Sequence, residues 1–222
     1  IVDPMDDDQD ENRKKYRETL WRLRNRKGVN EYIAKRLVRQ RDYFGPLMLQ
    51  HGDTDALIVG YSKNYRTVLR PVLEIIEKAK GVDKIASMMM ILSDKKPYFF
   101  ADTSIHVNPT PEEMANIAKM AEFAIKSFAI QPRIAMLSYE NFSANSETSK
   151  KVAKAVEILH QKYPNMIVDG EIQPDFAMSA DHLQDYPFSK LGKTPANTFI
   201  FPNLESANLS YKIIRGMKVA QV

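Results

Sequence analysis

Apolar positions along this chain follow two spacings, and these alternate through its second half. Short continuous apolar runs predict β-strands at residues 85–92, 97–101, 133–138, 167–168 and 198–201. Apolar residues that recur every three or four positions predict helices at residues 111–128, 148–162 and 204–215. A tight polar loop joins the first two strands and predicts a hairpin, so we expect a mixed sheet. Strands that alternate with helices of this length indicate a layered α/β protein.

The first part of the chain has a mostly helical pattern. This pattern predicts helices at residues 10–27, 31–40, 43–50 and 67–80, and a short apolar run predicts one strand at residues 56–59. Asn30 and Asp42 stand directly before the second and third helices, and we predict that they cap them. A composition change near residues 82–85 follows this basic, helix-rich part. We therefore predict two subdomains, residues 1–84 and residues 85–222.

Charge is unevenly distributed, although the formal net charge of the 222 residues is only +4. Six carboxylates fall within residues 3–11, and twelve Lys or Arg residues fall within residues 13–41. Three interpretations stay open: a nucleic-acid footprint, solvated helix faces, and a site for one phosphorylated ligand that needs only one or two arginines. Because the charges are interleaved with helical apolar positions, the pattern favours solvated helix faces.

The composition also excludes some classes of protein. No apolar run approaches the roughly 20 residues that a membrane-spanning helix needs. The chain has no cysteine, which excludes disulfides and thiolate chemistry and fits a reducing compartment, so we expect a cytoplasmic location. The first residue is Ile1 rather than Met, and the chain ends soon after a helical pattern. We therefore expect a fragment of a longer protein, truncated at both ends.

The segment from Gly60 to Arg70 has the layout of a ligand-binding loop. An apolar run ends at Gly60, a polar turn follows, and a predicted helix begins at Thr67. Glycine allows close approach of the backbone, and free N–H groups at the start of a helix attract phosphate oxygens. Arg66 and Arg70 add guanidinium groups, which bind phosphate with paired hydrogen bonds. The segment matches neither the Walker nor the Rossmann glycine pattern, so by itself it is a weak phosphate signal.

A second candidate is the stretch 167–177, where an apolar run reaches Gly170 and the carboxylates Asp169, Glu171 and Asp175 lie close together. It predicts a short strand that opens into a polar turn at its carboxyl end, the edge where ligands bind in open α/β sheets. These carboxylates could bind a divalent cation or form acid–base pairs. We favour a structural role, in which they accept backbone N–H groups of the turn and pair with bases across an interface.

The four histidines, at positions 51, 106, 160 and 182, are scattered along the chain. His106 follows a predicted strand and stands beside Asp102, Thr103 and Ser104, which is the best catalytic arrangement among them. No pair has metal-ligand spacing such as i, i+4 on a helix. We therefore assign neither a metal site nor a catalytic histidine.

A series of motifs in a fixed order resembles the phosphate acetyl/butyryl transferase family. The first three are Leu-Arg-Asn-Arg-Lys-Gly at 23–28, Asp55 to Gly60, and Val-Leu-Arg-Pro at 68–71. The later ones are Phe-Ala-Asp at 100–102, Ala-Met-Leu-Ser-Tyr at 135–139, Asp-Gly-Glu-x-Gln-x-Asp-x-Ala at 169–177, Phe-Pro-Asn-Leu at 201–204 and Asn-x-x-Tyr-Lys at 208–212. No single motif is decisive, but their order over nearly the whole chain is specific.

The resemblance implies a three-layer α/β/α fold of the isocitrate/isopropylmalate dehydrogenase type. It implies two subdomains, with coenzyme A and an acyl phosphate meeting in the cleft between them. In family enzymes an aspartate deprotonates the coenzyme A thiol, which attacks the acetyl carbonyl while phosphate leaves. Arg24 and Arg70 match two arginines that contribute to coenzyme A binding, and we add Asn64, Arg66 and Thr67 as candidate binding residues. The resemblance also implies a homodimer or higher homo-oligomer, built largely through the second subdomain, and neither nucleic acid nor membrane as a partner.

Two departures from the family pattern matter. Residues 64–68 lack most of the small hydroxyl side chains that precede Leu-Arg-Pro in the family. The family's catalytic Ser-Arg pair and following Asp belong to a carboxyl-terminal segment outside this chain, so we assign no catalytic residue and expect the fragment alone to be inactive. The divergent loop resembles the domain fused to NADP-dependent malic enzymes, and Asn203, where free-standing enzymes tend to have Asp, agrees.

This second resemblance implies a regulatory domain that senses acetyl-CoA and controls malate decarboxylation. NADP and a divalent metal would then bind only in the absent malic domain. Two alternatives stay open. One is an authentic phosphate acetyltransferase that moves acetyl between acetyl phosphate and coenzyme A, and the other is nucleic-acid binding through the basic helices.

Overall fold

The computed structural model describes residues 2–60, 63–78, 82, 84–93 and 96–221, without the side chains of Tyr65 and Arg66. The chain packs as two compact units, Ile1–Asp83 and Lys84–Val222. The assignment of residues 1–84 and 85–222 to two subdomains of the family fold stays a prediction.

The described part of the first unit is built from helices. They are α1 (Asp10–Arg24), α2 (Glu31–Leu37), α3 (Arg41–His51) and α4 (Tyr65–Ile75), with short 3-10 turns at Asp7–Gln9 and Asn25–Lys27. Their apolar faces enclose one core that includes Tyr16, Leu20, Phe44, Leu47 and Ile75. Isolated helices of this length are marginal in water, so this shared core is what keeps them folded.

The ends of these helices follow their sequence only in part. Asn30 caps α2 as predicted, because its side-chain oxygen accepts the N–H of Ile33 at 2.8 Å. The cap predicted at Asp42 is wrong: α3 starts at Arg41 with Gln40 as the residue before it. Asp42 lies in the first turn, and its carboxylate pairs with Lys63 at 2.5 Å instead of a backbone N–H.

The strand predicted at residues 56–59 is also wrong. Residues 56–60 form no regular element, and Ile58 is 97% exposed. The described part of the first unit contains no strand for this segment to pair with, and an unpaired strand is not stable by itself. The helix predicted at 67–80 starts earlier, at Tyr65, and ends at Ile75, while residues 79 and 80 lie outside the described residues.

Within the described residues, the second unit contains a five-stranded sheet with the order β1-β2-β5-β3-β4. The strands are β1 (Met88–Leu92), β2 (Pro97–Ala101), β3 (Ile134–Leu137), β4 (Val168–Ile172) and β5 (Thr198–Ile200). β1 and β2 form an antiparallel hairpin, whereas the pairs β2–β5, β5–β3 and β3–β4 are parallel. The predicted mixed sheet and its hairpin are therefore confirmed.

Helices cover both faces of this sheet. They are α5 (Pro111–Lys126), α6 (Glu147–Lys162), α7 (Pro174–Met178), α8 (Ala180–Leu183) and α9 (Leu204–Met217). Alternate residues of β3 enter different cores: Ile134 and Met136 pack with residues of α5 and α6, whereas Ala135 and Leu137 pack with residues of α7, α8 and α9. Since successive side chains of a strand point to opposite faces, the second unit has three layers, as predicted for an α/β fold.

The stretch at 167–177 differs from its prediction. β4 continues through Asp169, Gly170 and Glu171 to Ile172, and each of its residues is buried. Gly170 has φ +146°, and a Cβ atom built there would lie 2.3 Å from the carbonyl oxygen of Met136 on β3. Asp169 and Glu171 therefore lie within a buried strand and not in a polar turn. Because Gly170 has no side chain, β3 and β4 can approach each other closely at this position.

Candidate functional site

Arg24 and Arg70 lie at one place in the first unit. Arg24 is the last residue of α1, and its Nη2 lies 3.4 Å from Oε1 of Glu74. Arg70, one turn before Glu74 on α4, donates from Nε to the same oxygen at 2.9 Å. Tyr43 on α3 donates its hydroxyl to the other carboxylate oxygen, Oε2, at 2.8 Å. Three helices thus meet at one carboxylate.

A cavity of about 400 Å³ opens beside this cluster. The charged side chains that line it are Arg24, Lys27, Arg36, Arg70, Asp42 and Glu74. Asp42 is already paired with Lys63 and Glu74 with the two arginines, so positive charge is in excess. Guanidinium groups hold phosphate oxygens with paired, charge-assisted hydrogen bonds. The cavity is therefore suited to the phosphorylated part of a ligand.

The protonation states of the cluster are set by its contacts. Burial would raise the pKa of Glu74, but the hydrogen bonds from Arg70 and Tyr43 and the charges of both arginines outweigh it and lower that pKa. Burial, and then the hydrogen bond to Glu74, raise the pKa of Tyr43 to about 12. At neutral pH Glu74 is therefore ionised and Tyr43 is a neutral donor. Two guanidinium groups then share one negative charge, which leaves one positive charge for a ligand.

Arg24 has a donor to spare. Its side chain is only 18% exposed, and its Nε is buried without a hydrogen-bond partner. A buried unsatisfied donor costs free energy, about 1–3 kcal/mol in mutational studies.

Of the other predicted binding residues, only Thr67 is found among the described side chains that line this cavity. Thr67 lines the same cavity as Arg24 and Arg70. Asn64 stands at the start of α4, where its side-chain oxygen accepts the N–H of Thr67 at 3.3 Å and thus helps to form the helix. The side chain of Arg66 lies outside the described residues.

Sequence reasoning missed Glu74, Tyr43, Lys27 and Arg36. Glu74 could have been found, because an acidic residue four positions after an arginine on a helix pairs with it. Tyr43 had no such signal, since its contact with Glu74 depends on how α3 packs against α4.

In the second unit, Asp169 and Glu171 accept backbone N–H groups, which is one part of the interpretation favoured from sequence, whereas pairing with bases across an interface stays a prediction. Asp169 accepts the backbone N–H of Gly170 at 2.9 Å and that of Lys190 at 2.7 Å. Glu171 accepts the N–H of Ala144 at 2.6 Å, whereas Asp175 is exposed. In the described part of the chain, no three His, Asp or Glu side chains are arranged to hold a metal ion.

His106 is likewise bound into a structural cluster. Its Nδ1 lies 2.6 Å from Oδ2 of Asp102, and Asp102 also accepts the hydroxyl of Ser87 and the backbone N–H groups of Ser104, Ile105 and His106. Burial would raise the pKa of Asp102, but these hydrogen bonds outweigh it and lower that pKa. The carboxylate therefore organises the loop after β2.

A second cavity, of about 500 Å³, lies at the carboxyl ends of β3, β4 and β5. It is lined by Leu137, Ser138, Tyr139, Thr148, Gln173, Pro174, Phe201, Pro202, Asn203, Ser206 and Ser210. This is the edge at which ligands bind in open α/β sheets. None of these lining residues is a Lys, Arg, Asp or Glu, so this cavity suits an uncharged group better than a phosphate.

No helix in the described ranges is both long enough and apolar enough to cross a membrane. The first cavity carries the basic side chains of Arg24, Lys27, Arg36 and Arg70, and we call it the basic cavity. The described part of the chain is thus an α/β protein with one basic and one uncharged cavity. The chain matches the family model of phosphate acetyl/butaryl transferase over residues 1–222, and it belongs to that family. The family resemblance predicted from the motifs is therefore confirmed.

Its relatives include two kinds of protein. The phosphate acetyltransferase of Bacillus subtilis is 35% identical over 193 residues, which cover 86% of this chain and 60% of that protein. The NADP-dependent malic enzyme of Haemophilus influenzae is 34% identical over 203 residues, which cover 90% of this chain and 27% of that protein. The crystal structure of a phosphotransacetylase from Streptococcus pyogenes matches with a TM-score of 0.82 and 29% identity, covering 100% of this chain and 67% of that one. The chain thus spans only part of the curated relatives it matches.

Proposed function

We propose that the basic cavity of the first unit binds the phosphates of coenzyme A or acetyl-CoA through Arg24 and Arg70. The observation that carries this proposal is the convergence of both guanidinium groups on one carboxylate beside a 400 Å³ cavity, with Arg24 Nε buried and unpartnered. Arg66, Asn64 and Thr67 are proposed to contribute from the start of α4. Membership of a transferase family agrees with a ligand that carries phosphate groups.

We further propose that the chain is the acetyl-CoA-sensing regulatory domain of an NADP-dependent malic enzyme. Relatives of both kinds match with nearly equal identity, so they do not decide between this role and acetyl transfer. The choice rests on the loop at residues 64–68, which lacks most of the small hydroxyl residues of the transferases and keeps only Thr67. In this role NADP and a divalent metal bind elsewhere in the full-length protein, and acetyl-CoA acts as an effector.

The second candidate is an authentic phosphate acetyltransferase. In that reaction the thiolate of coenzyme A attacks the acetyl carbonyl and the carbon–oxygen bond to phosphate breaks, so phosphate leaves. The second cavity of about 500 Å³ favours this candidate, because its uncharged lining offers room for an acyl group. The catalytic groups would lie in a segment outside this chain, so the 222 residues alone are expected to be inactive.

Two assays on the full-length protein separate the candidates. Malate-dependent reduction of NADP is measured with and without acetyl-CoA, and acetyl-CoA formation is measured from acetyl phosphate and coenzyme A. The regulatory role predicts malate turnover that changes with acetyl-CoA and no acetyl transfer. Acetyl transfer without malate turnover would establish the second candidate and overturn the first.

We also propose that the protein is cytoplasmic and forms a homodimer or larger homo-oligomer through its second unit. Leu209, Ile213 and Met217 form a stripe along α9, and they are 61%, 55% and 68% exposed. A contiguous apolar stripe of this kind is typical of a protein interface. Light scattering on Ile213→Asp should show a smaller particle than the wild type, with Lys212→Asp as the neighbouring control. Equal particle masses would contradict this interface.

A further inference from the structure

Glu74 is the fixed point of the basic cavity. Its side chain is only 10% exposed, whereas the side chain of Arg70 is 77% exposed. An exposed ion pair adds little stability by itself, because two flexible side chains must be ordered for a weak attraction. Here Glu74 is already held in place by its burial, so its carboxylate restricts the motion of the Arg70 side chain.

The contacts with Glu74 leave hydrogen-bond donors unused on both arginines. Arg70 uses Nε for Glu74, and no hydrogen bond of the described residues engages its two Nη groups, which form the end-on fork that binds phosphate. Arg24 contacts Glu74 through Nη2, and its Nε is buried without a partner. One carboxylate oxygen therefore orients two guanidinium groups without saturating either.

Tyr43 fixes the carboxylate itself. The residue is 8% exposed and belongs to the core of the first unit, so α3 sets the position of its hydroxyl. That hydroxyl donates to Oε2 of Glu74 at 2.8 Å, while Oε1 faces the two arginines. Rotation of the carboxylate would break all of these contacts at once. The orientation of both arginines is thus linked to a rigid core residue.

We propose that Glu74 and Tyr43 are positioning residues that preorganise Arg24 and Arg70 for the phosphates of the ligand. The proposal rests on the proposed function of the cavity. For removal of Glu74, it predicts a change in ligand affinity opposite to the change that electrostatics alone predicts. A carboxylate close to a phosphate repels it, so its removal should strengthen binding if charge alone matters. If Glu74 holds the arginines in place, its removal should weaken binding, because the ligand must then order two long side chains.

The test is a calorimetric titration of coenzyme A into full-length Glu74→Ala, Glu74→Gln and Tyr43→Phe variants. We expect Glu74→Ala to raise Kd about tenfold, in keeping with the ordering of a rotamer-rich side chain on binding. Glu74→Gln keeps an acceptor for Arg70 while it removes the charge, so its Kd should stay within about threefold of the wild type. Tyr43→Phe keeps the packing of the ring and should raise Kd about threefold.

A double variant separates positioning from a general loss of structure. In the Arg70→Ala background, Glu74 has only Arg24 left to position, so Glu74→Ala should raise Kd by no more than about twofold. The effects of mutations at residues in contact are not additive. Thermal melting shows whether each variant is folded, and Glu74→Gln and Tyr43→Phe provide the test if Glu74→Ala does not fold. Unchanged or tighter binding by Glu74→Ala would overturn the proposal, and so would a Glu74→Gln variant as weak as Glu74→Ala. If Arg70→Ala by itself binds like the wild type, the proposed function of the cavity fails instead.

Discussion

Arg24 and Arg70 lie on different helices of the first unit, yet both contact the same oxygen, Oε1 of Glu74, at 3.4 and 2.9 Å. Two guanidinium groups held by one carboxylate leave a net positive charge beside a cavity. The sequence offered each arginine separately, in a Leu-Arg motif at the end of one helix and an Arg-Pro motif in another. Their convergence is a property of the packing of α1, α3 and α4.

The planar fork of Arg24 should matter as well as its charge. Arg24→Lys keeps the positive charge but removes Nε and the paired Nη groups, of which Nη2 contacts Glu74. We expect Kd for coenzyme A to rise by about fivefold to tenfold, close to the loss of one charge-assisted hydrogen bond. Arg22→Lys, on the exposed part of α1, is the matched control and should bind like the wild type. An Arg24→Lys protein with wild-type affinity would show that charge alone is sufficient.

The cap of α2 should contribute to stability. Asn30→Ala removes the acceptor for the N–H of Ile33, and caps of this kind are worth about 1 kcal/mol. The free energy of unfolding in urea should fall by about that amount, and Asn30→Asp should retain most of it because a carboxylate also caps. Because Arg36 on α2 lines the basic cavity, coenzyme A affinity should fall slightly in the alanine variant only. Equal stability of the alanine and aspartate variants would contradict this account of the cap.

The buried carboxylate of Asp102 should make the second unit sensitive to acid. Its pKa is lowered below the ordinary 3.8, so its contribution to stability is present above pH 3.8 and is lost as the pH falls through the folded-state pKa. Asp102→Asn leaves backbone donors of the loop unpaired and should lower the free energy of unfolding by about 2–4 kcal/mol at pH 7.

That stability difference between wild type and Asp102→Asn should shrink as the pH falls below 3.8, because the unfolded carboxylate then binds a proton while the folded one, with its lowered pKa, is still ionised. Urea titrations at pH 7, 5 and 3 measure it. Glu205→Gln, in the exposed first turn of α9, is a control that should show little difference at any pH. A constant difference for Asp102→Asn across this range would contradict the assigned role of the carboxylate.

Gly170 should not tolerate a side chain. Gly170→Ala places a Cβ atom 2.3 Å from the Met136 carbonyl oxygen and requires a positive φ of 146°. We expect a loss of at least about 3 kcal/mol in the free energy of unfolding, as for other overpacked core positions. Gly216→Ala, with open space around its Cβ position on α9, should be neutral or slightly stabilising. A Gly170→Ala protein as stable as Gly216→Ala would show that β3 and β4 can separate without penalty.

Most of the helices and strands could be predicted from the sequence, because apolar residues recur regularly where strands are covered by helices on both faces of the sheet. Local signals also mark helix ends in the structure: Thr110 and Glu113 form a capping box at the start of α5, and Gly28, with a left-handed conformation, ends the 3-10 turn after α1. Residues 56–59 were misjudged because an apolar run predicts a strand only if a partner strand is available. β4 was predicted too short because its polar residues indicated a turn. Asp169 and Glu171 can lie inside the strand because they accept the backbone N–H groups of Lys190 and Ala144.

The candidate site was predictable only in part. Arg24 and Arg70 were found through family motifs, and spacing alone gave no reason to bring them together. Glu74 had a local signal, whereas Tyr43 depends on tertiary packing that periodicity does not encode. The number of basic residues did not locate the cavity. Most of the Lys and Arg residues of α1 and α2 are exposed, which agrees with the favoured interpretation of solvated helix faces.

The most direct measurement of the central claim is the calorimetric Kd of coenzyme A for full-length wild type, Arg24→Ala, Arg70→Ala and the control Arg22→Ala. The account predicts that each of the two cavity variants loses about 1.5–3 kcal/mol of binding free energy, the usual value for hydrogen bonds to a charged group. Arg22→Ala should bind like the wild type. Wild-type affinity in Arg24→Ala and Arg70→Ala, from a protein that binds coenzyme A, would contradict the assignment of this cavity to the ligand phosphates.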